Sequence, residues 1–233
     1  MSGRYVRWLA VEGASGSGKS SFVRAGVVPA LRRGWVDGGP ARWRVAVLRP
    51  DRNPVHRLAG ALVEAFGWKH EAGKLTQVEE ALRPCAGLRD LLSQWSGDGV
   101  GFLLVVDQLE ETFTLSGGNS GAARQLDALL AEALADDGPL HLITTLRSDF
   151  LGRMAELPRL ADALNGQASR YLLNPLSPTG LLQASVARPR WQTSSGRRGC
   201  RTASPATPMW PVAGCPWWGT CCASSGSAGR GTC

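Results

Sequence analysis

Apolar residues along this chain fall into short unbroken runs, separated by stretches where they recur at helical spacing. Val6 to Val11, interrupted by Arg7, is too short for a helix and predicts a largely buried strand. Arg44 to Leu48 (RVAVL), Phe102 to Asp107 (FLLVVD), His141 to Leu146 and Tyr171 to Leu173 repeat that pattern. Between these runs Phe22, Val23, Ala25, Val27, Val28 and Leu31 supply the apolar content of a helix, which Pro29 should kink or end. Asn53 as N-cap and Pro54 at the first helical position open a second helix, through about Ala65. Leu75 to Trp95 reads as helical with breaks at Pro84 and Gly87. Further helices are expected over Ala122 to Ala135 and Asp149 to Leu164, and Ser177 and Pro178 cap one more, whose pattern fails at Arg188 to Arg190. Strands alternating with helices predict a three-layer α/β fold, a mostly parallel five-stranded sheet covered on both faces.

A length of 233 residues suffices for one well-buried α/β domain and a small appendage. No stretch approaches the ~20 apolar residues of a membrane span, and the N-terminus lacks a signal-type apolar core. A cytoplasmic protein with no membrane partner is therefore expected. The formal charge of +7 and pI near 9.5 invite a nucleic-acid reading, but the position of the charge removes it. Asp162 is the last acidic residue, and residues 1–162 balance 19 Lys and Arg against 19 Asp and Glu. Arg170, Arg188, Arg190, Arg197, Arg198, Arg201 and Arg230 supply the whole excess, so no nucleic-acid partner is indicated for the main domain.

Composition changes sharply near residue 190. From Arg190 to Cys233 there is no Leu, Ile, Phe, Tyr, Lys, Asp, Glu, Asn or His, while Cys200, Cys215, Cys221, Cys222, Cys233 and four tryptophans crowd in. Adjacent Cys221 and Cys222, without a His or a C-x-x-C pair, give no metal-ligand spacing. Residues 1–189 are read as the folded domain and 190–233 as a low-order tail. The tail has the composition of GC-rich DNA translated out of frame.

The candidate chemistry begins directly after the first strand, at GASGSGKS. Gly13, Gly18, Lys19 and Ser20 match G-x-x-x-x-G-K-[S/T], a phosphate-cradling loop between a strand and a helix. Small residues let the backbone N–H groups of Gly13, Ala14, Ser15, Gly16, Ser17, Gly18, Lys19, Ser20 and Ser21 turn toward phosphates at a helix N-terminus. Lys19 would reach the β- and γ-phosphates and Ser20 would ligate Mg²⁺. In FLLVVDQLEE the strand ends in Asp107, whose carboxylate would stand beside the loop and hold Mg²⁺ through water. Two readings stay open for Glu110 and Glu111: polarising an attacking water, or forming the exposed first turn of a helix. In LHLITTLRSDF, Thr144, Thr145 and Arg147 sit at or just past a strand's C-terminal end. Arg147 there either contacts the γ-phosphate or pairs with Asp149.

GASGSGKSSFVRAGVVPAL, LLVVDQLEETFTL, ITTLRSDFLGRM and NPLSPTGL together resemble the nucleotide-binding domain of the STAND signalling NTPases, in particular the bacterial novel STAND group, over about residues 6–189. The resemblance implies an ATP-dependent, Mg²⁺-dependent switch with slow hydrolysis. It places a strand, His141 to Leu146, between the loop strand and the Asp107 strand, puts Arg147 in a sensor position, and makes protein partners or self-association expected. Lys19, Asp107, Glu110, Glu111 and Arg147 are the candidate catalytic set. Family members generally continue into a helical segment and repeat arrays, whereas here the pattern stops near Pro189 with no internal repeat, so an incomplete domain is expected. Three alternatives remain: a module that holds ATP or ADP without turnover, a small-molecule kinase, for which no clear lid is found, and a GTPase, for which no N-K-x-D segment is found.

Overall fold

The computed structural model describes residues 6–34, 39–95, 97, 99–115, 120–135, 139–175 and 177. Five strands, β1 (Trp8–Gly13), β2 (Arg42–Leu48), β3 (Val100–Val106), β4 (Leu140–Arg147) and β5 (Ala168–Leu172), form one sheet in the order β2-β3-β4-β1-β5. Every described neighbouring pair is parallel, and β4 stands between β1 and β3, where the resemblance placed it. Parallel neighbours need crossovers, and the crossovers bring helices onto both faces.

The two-residue period of the strands divides the core. Trp8, Ala10, Phe102, Leu104, Val106 and Leu142 face a large apolar cluster built with α3 (Pro54–Ala65), α4 (Lys74–Ala81), α5 (Gly87–Trp95), α7 (Ser120–Leu134) and α8 (Pro158–Gly166). Leu58, Leu62, Leu88, Leu92, Leu129 and Leu160 on those helices are fully buried. Leu9, Val11, Leu103, Val105 and Ile143 point the other way, onto Val23, Val27, Val28 and Leu31. Those four belong to the segment after the loop, so packing of alternate strand residues holds the loop's helix against the sheet.

Local signals account for most boundaries. The Asn53 side chain accepts from His56 N at 3.3 Å and Pro54 opens α3, the predicted cap. The expected break at Pro84 and Gly87 separates α4 from α5. Other boundaries differ from the sequence-based expectation. Strand β1 runs two residues beyond Val11, to Gly13, because the buried Glu12 carboxylate is paired with Arg170 at 2.6 Å. Pro29 does not end its helix: α1 (Lys19–Ser21) passes into a π-helical stretch, Phe22–Val27, and then α2 (Val28–Arg32). Pro29 comes just after the π-helical stretch, where Val28 N–H reaches back to the Val23 carbonyl, and the helix continues through it. The expected helix from Asp149 to Leu164 is two elements, a 3₁₀ run over Ser148–Glu156 followed by α8. Pro158 forces Leu157 out of helical geometry, at φ −119 and ψ 73. The helix read from Pro178 and the tail 190–233 lie outside the described residues.

Candidate functional site

The phosphate loop emerges from the C-terminal end of β1. A Cβ on Gly13 would come within 2.5 Å of the Leu173 carbonyl oxygen and 2.9 Å of Ser17 Oγ, so close approach excludes any side chain there. Gly16 and Gly18 meet nothing within 4 Å, but their φ values of +75 and +91 lie where L-residues are strained. Geometry therefore selects all three glycines, by crowding at one and backbone conformation at two. Ala14, Ser15, Gly16 and Ser21 are exposed around the turn, while Ser17 and Lys19 are buried.

Lys19 Nζ donates to the Gly13 carbonyl at 2.9 Å and the Ala14 carbonyl at 2.8 Å. These contacts fold the side chain back over the loop and engage two of its three N–H groups. Burial lowers its pKa, and the nearby Glu110 carboxylate opposes that shift. Ser17 Oγ is buried in the loop with no hydrogen-bond partner, an arrangement that is unfavourable unless a ligand atom completes it. Open space at two glycines, an orphaned hydroxyl and an ammonium with a remaining donor fit an anionic phosphate chain.

Asp107 is the first residue past β3, and its N–H bonds the Leu48 carbonyl at 2.8 Å. Its carboxylate is 5% exposed. Ser20 Oγ donates to Asp107 Oδ1 at 2.7 Å, and Thr145 Oγ1 donates to the same oxygen at 2.8 Å. Arg24 Nε lies 3.2 Å from Oδ2. Strand order explains the meeting: β4 lies between β1 and β3, so Thr145 on β4 stands beside both the loop and Asp107. Among the described residues no group of three His, Cys, Asp or Glu side chains forms a metal cage. The Ser20 hydroxyl and the Asp107 carboxylate are hard oxygen donors, a set that suits Mg²⁺, which keeps several waters and takes further oxygens from phosphate.

The chain reverses just after Asp107. Gln108 takes φ +61, uncommon for a non-glycine residue, and its N–H is held by Thr145 Oγ1 at 2.8 Å. Leu109 N–H bonds the Thr145 carbonyl at 2.9 Å. The two glutamates that follow, at the start of a short helix, point apart. Glu110 is buried, accepts from the Arg147 backbone N–H at 3.3 Å, and has its pKa raised, chiefly by burial. Glu111 opens α6 (Glu111–Thr114) and accepts from Arg49 Nε at 3.0 Å near the surface. The Arg147 guanidinium donates to Asp149 at 3.1 Å and lies over the Phe150 ring. Thr144 faces away from the loop and accepts from Trp8 Nε1 at 3.0 Å inside the large core.

The structure thus brings together Gly13 to Ser20, Asp107 and Glu110, while Glu111 turns outward and Thr144 packs inside. Arg24 also reaches Asp107, and motif spacing does not single it out. Its signal is its position four residues after Ser20 on a helix, which sets the two side chains on one face. No described helix is long and apolar enough to cross a membrane.

The sequence profile described as Novel STAND NTPase 1 matches residues 2–194. No curated protein matches the chain. Among solved structures, similarity is found to the Aeropyrum pernix ORC2 protein in ADPNP–ADP complexes, at 15% identity and TM-score 0.46, covering 77% of this chain and 44% of that one. The Aeropyrum pernix ORC1 protein in complex with DNA is 18% identical with TM-score 0.42, covering 75% and 41%. A chain described as an ATPase is 17% identical with TM-score 0.38, covering 76% and 68%. The chain spans less than half the length of the two Aeropyrum proteins.

Proposed function

Because this chain belongs to the novel STAND NTPase 1 family, whose profile spans residues 2–194, we propose that its nucleotide-binding NTPase domain is an ATP- and magnesium-dependent switch that hydrolyses ATP slowly. The observation that carries this reading is the 2.7 Å bond from Ser20 Oγ to Asp107 Oδ1. It joins the hydroxyl of the phosphate loop to the acidic strand end, the pair that would share a divalent ion. A bound Mg²⁺ would supply charge neutralisation for the β- and γ-phosphates. Loop N–H groups and Lys19 bind and orient the phosphate chain. Glu110 orients a water and takes its proton as the oxygen attacks the γ-phosphorus, while the bond from that phosphorus to the β–γ bridging oxygen breaks and ADP leaves with the electron pair; burial of Glu110 makes it a stronger base than a solvated carboxylate. Arg147 senses the γ-phosphate by leaving Asp149, and the change passes to protein partners or to self-association. The same burial favours a second reading, a module that binds ATP or ADP without turnover, because it stabilises the protonated carboxyl, the form that accepts no proton.

Isothermal titration of ATP with Mg²⁺ tests the proposal. Binding by the wild type that Asp107→Asn makes independent of Mg²⁺ supports it. Equal ATP and Mg²⁺ affinities in wild type, Lys19→Ala and Asp107→Asn overturn it.

A further inference from the structure

Three side chains meet on the Asp107 carboxylate, and they divide its oxygens. Ser20 and Thr145 both donate to Oδ1, at 2.7 and 2.8 Å, whereas Oδ2 faces Arg24 Nε at 3.2 Å. The hydroxyls are neutral and Arg24 is the charged partner. Its side chain is 51% exposed against 5% for Asp107, so the guanidinium reaches in from solvent and has room to withdraw. Arg24 lies in the π-helical stretch Phe22–Val27, where Val28 N–H bonds back to the Val23 carbonyl. Such wide turns within helices are uncommon and cluster at functional sites. The neighbouring arginines are each engaged by another carboxylate: Arg147 by Asp149, Arg49 by Glu111, and Arg170 by Glu12. Lys19 is turned onto the loop carbonyls. Among the described residues, Arg24 is therefore the cation in direct contact with Asp107.

We infer that Arg24 guards the metal-binding carboxylate, pairing with Asp107 Oδ2 in competition with a divalent cation and releasing it when a nucleotide-bound cation arrives. The inference rests on the proposed nucleotide site and adds a residue that sets its metal dependence. The competition is set by cation concentration. Arg24 holds the site in a less anionic form, which tolerates a polyphosphate arriving without metal. Removing it should have two opposite effects: tighter binding of the divalent cation and weaker binding of metal-free nucleotide. A pair whose only role is surface stability predicts neither.

The test uses the full chain as wild type, Arg24→Gln, Arg24→Lys and Asp107→Asn. Mn²⁺ binding at saturating ATP is followed by electron paramagnetic resonance, and ATP binding in EDTA by calorimetry. Arg24→Gln should bind Mn²⁺ about three- to tenfold more tightly, the size expected for removing one half-exposed competing charge, with a smaller shift in the same direction for Arg24→Lys. Metal-free ATP should bind Arg24→Gln more weakly than wild type. Should Arg24→Gln not fold, Arg24→Lys alone carries the decision. Unchanged or weaker Mn²⁺ binding in the folded Arg24 variants, with Asp107→Asn losing the ion, overturns the role of Arg24 and leaves the nucleotide reading standing. Absence of Mn²⁺ and ATP binding in the wild type removes both.

Discussion

Lys19 and Glu110 are opposite charges buried within electrostatic reach of each other beside the phosphate loop. Burial pushes each toward its neutral form, and each partly restores the other's charge. Lys19→Ala removes a charge-assisted contact worth about 1.5–3 kcal/mol, so ATP affinity should fall roughly ten- to hundredfold by calorimetry. Glu110→Gln keeps the side-chain shape and an oxygen for the Arg147 N–H, but it cannot take a proton. That variant should bind ATP as the wild type does while phosphate release falls by about a hundredfold or more; release at the wild-type rate would make Glu110 structural. Motif spacing alone brings Lys19, Ser20 and Asp107 into the candidate site. It does not separate Glu110 from Glu111, because that depends on the phase of the helix they open: successive helical positions point apart, one inward and the next toward Arg49. Nor does it reveal Arg24, whose partner comes from a distant strand end and depends on helical phase as well as sheet order.

The elements most readable in the sequence are those whose ends carry local chemistry. Asn53 and Pro54 start α3 as expected, and Pro84 and Gly87 part α4 from α5. The end of β1 is hidden, since Glu12 looks like a strand terminator until Arg170 of β5 offsets its charge. A proline's effect also depends on its setting: Pro158 ends a 3₁₀ run, whereas Pro29 is absorbed after a π-helical stretch. The start of the loop ties β1 to the segment after β5. Leu173 N–H bonds the Glu12 carbonyl at 2.7 Å, and the Leu173 carbonyl occupies the space that a Gly13 side chain would need. Backbone on both sides leaves little freedom to adjust. Gly13→Ala should therefore push the loop away from β5, lowering the melting temperature and weakening ATP binding together, whereas Lys19→Ala should weaken binding with a smaller change in melting temperature. Thermal melts with and without ATP distinguish the two; a Gly13→Ala protein that melts and binds like wild type would show that the Leu173 segment yields.

At the scale of the whole molecule, the candidate site and His141 lie at opposite ends of the sheet, and acid should act on them with opposite signs. His141 lies near the start of β4, away from the loop, with its ring edge-on to Trp43 at 4.8 Å and Nδ1 buried without a hydrogen-bond partner. Burial, reinforced by the nearby Arg7 charge, lowers its pKa to about 4. The unfolded chain takes up a proton near pH 6.5 while the folded one resists until about 4, so the stability contributed by neutral His141 is complete above 6.5 and is lost as pH falls toward 4. Across that window the loss amounts to about 3 kcal/mol. Glu110 runs the other way. Burial raises its pKa, so its contribution is present at acid pH and is lost as pH rises through the folded value. Denaturant unfolding at several pH values between 7 and 4 separates the terms when wild type is compared with His141→Phe, which keeps a ring against Trp43 and cannot be protonated. The stability difference, wild type minus variant, should fall by about 3 kcal/mol from pH 7 to pH 4. The corresponding difference for Glu110→Gln should rise as the pH is lowered. A His141→Phe difference that stays flat across the range would mean that the folded protein admits the imidazolium, and that the start of β4 opens to water more readily than its packing against Trp43 implies.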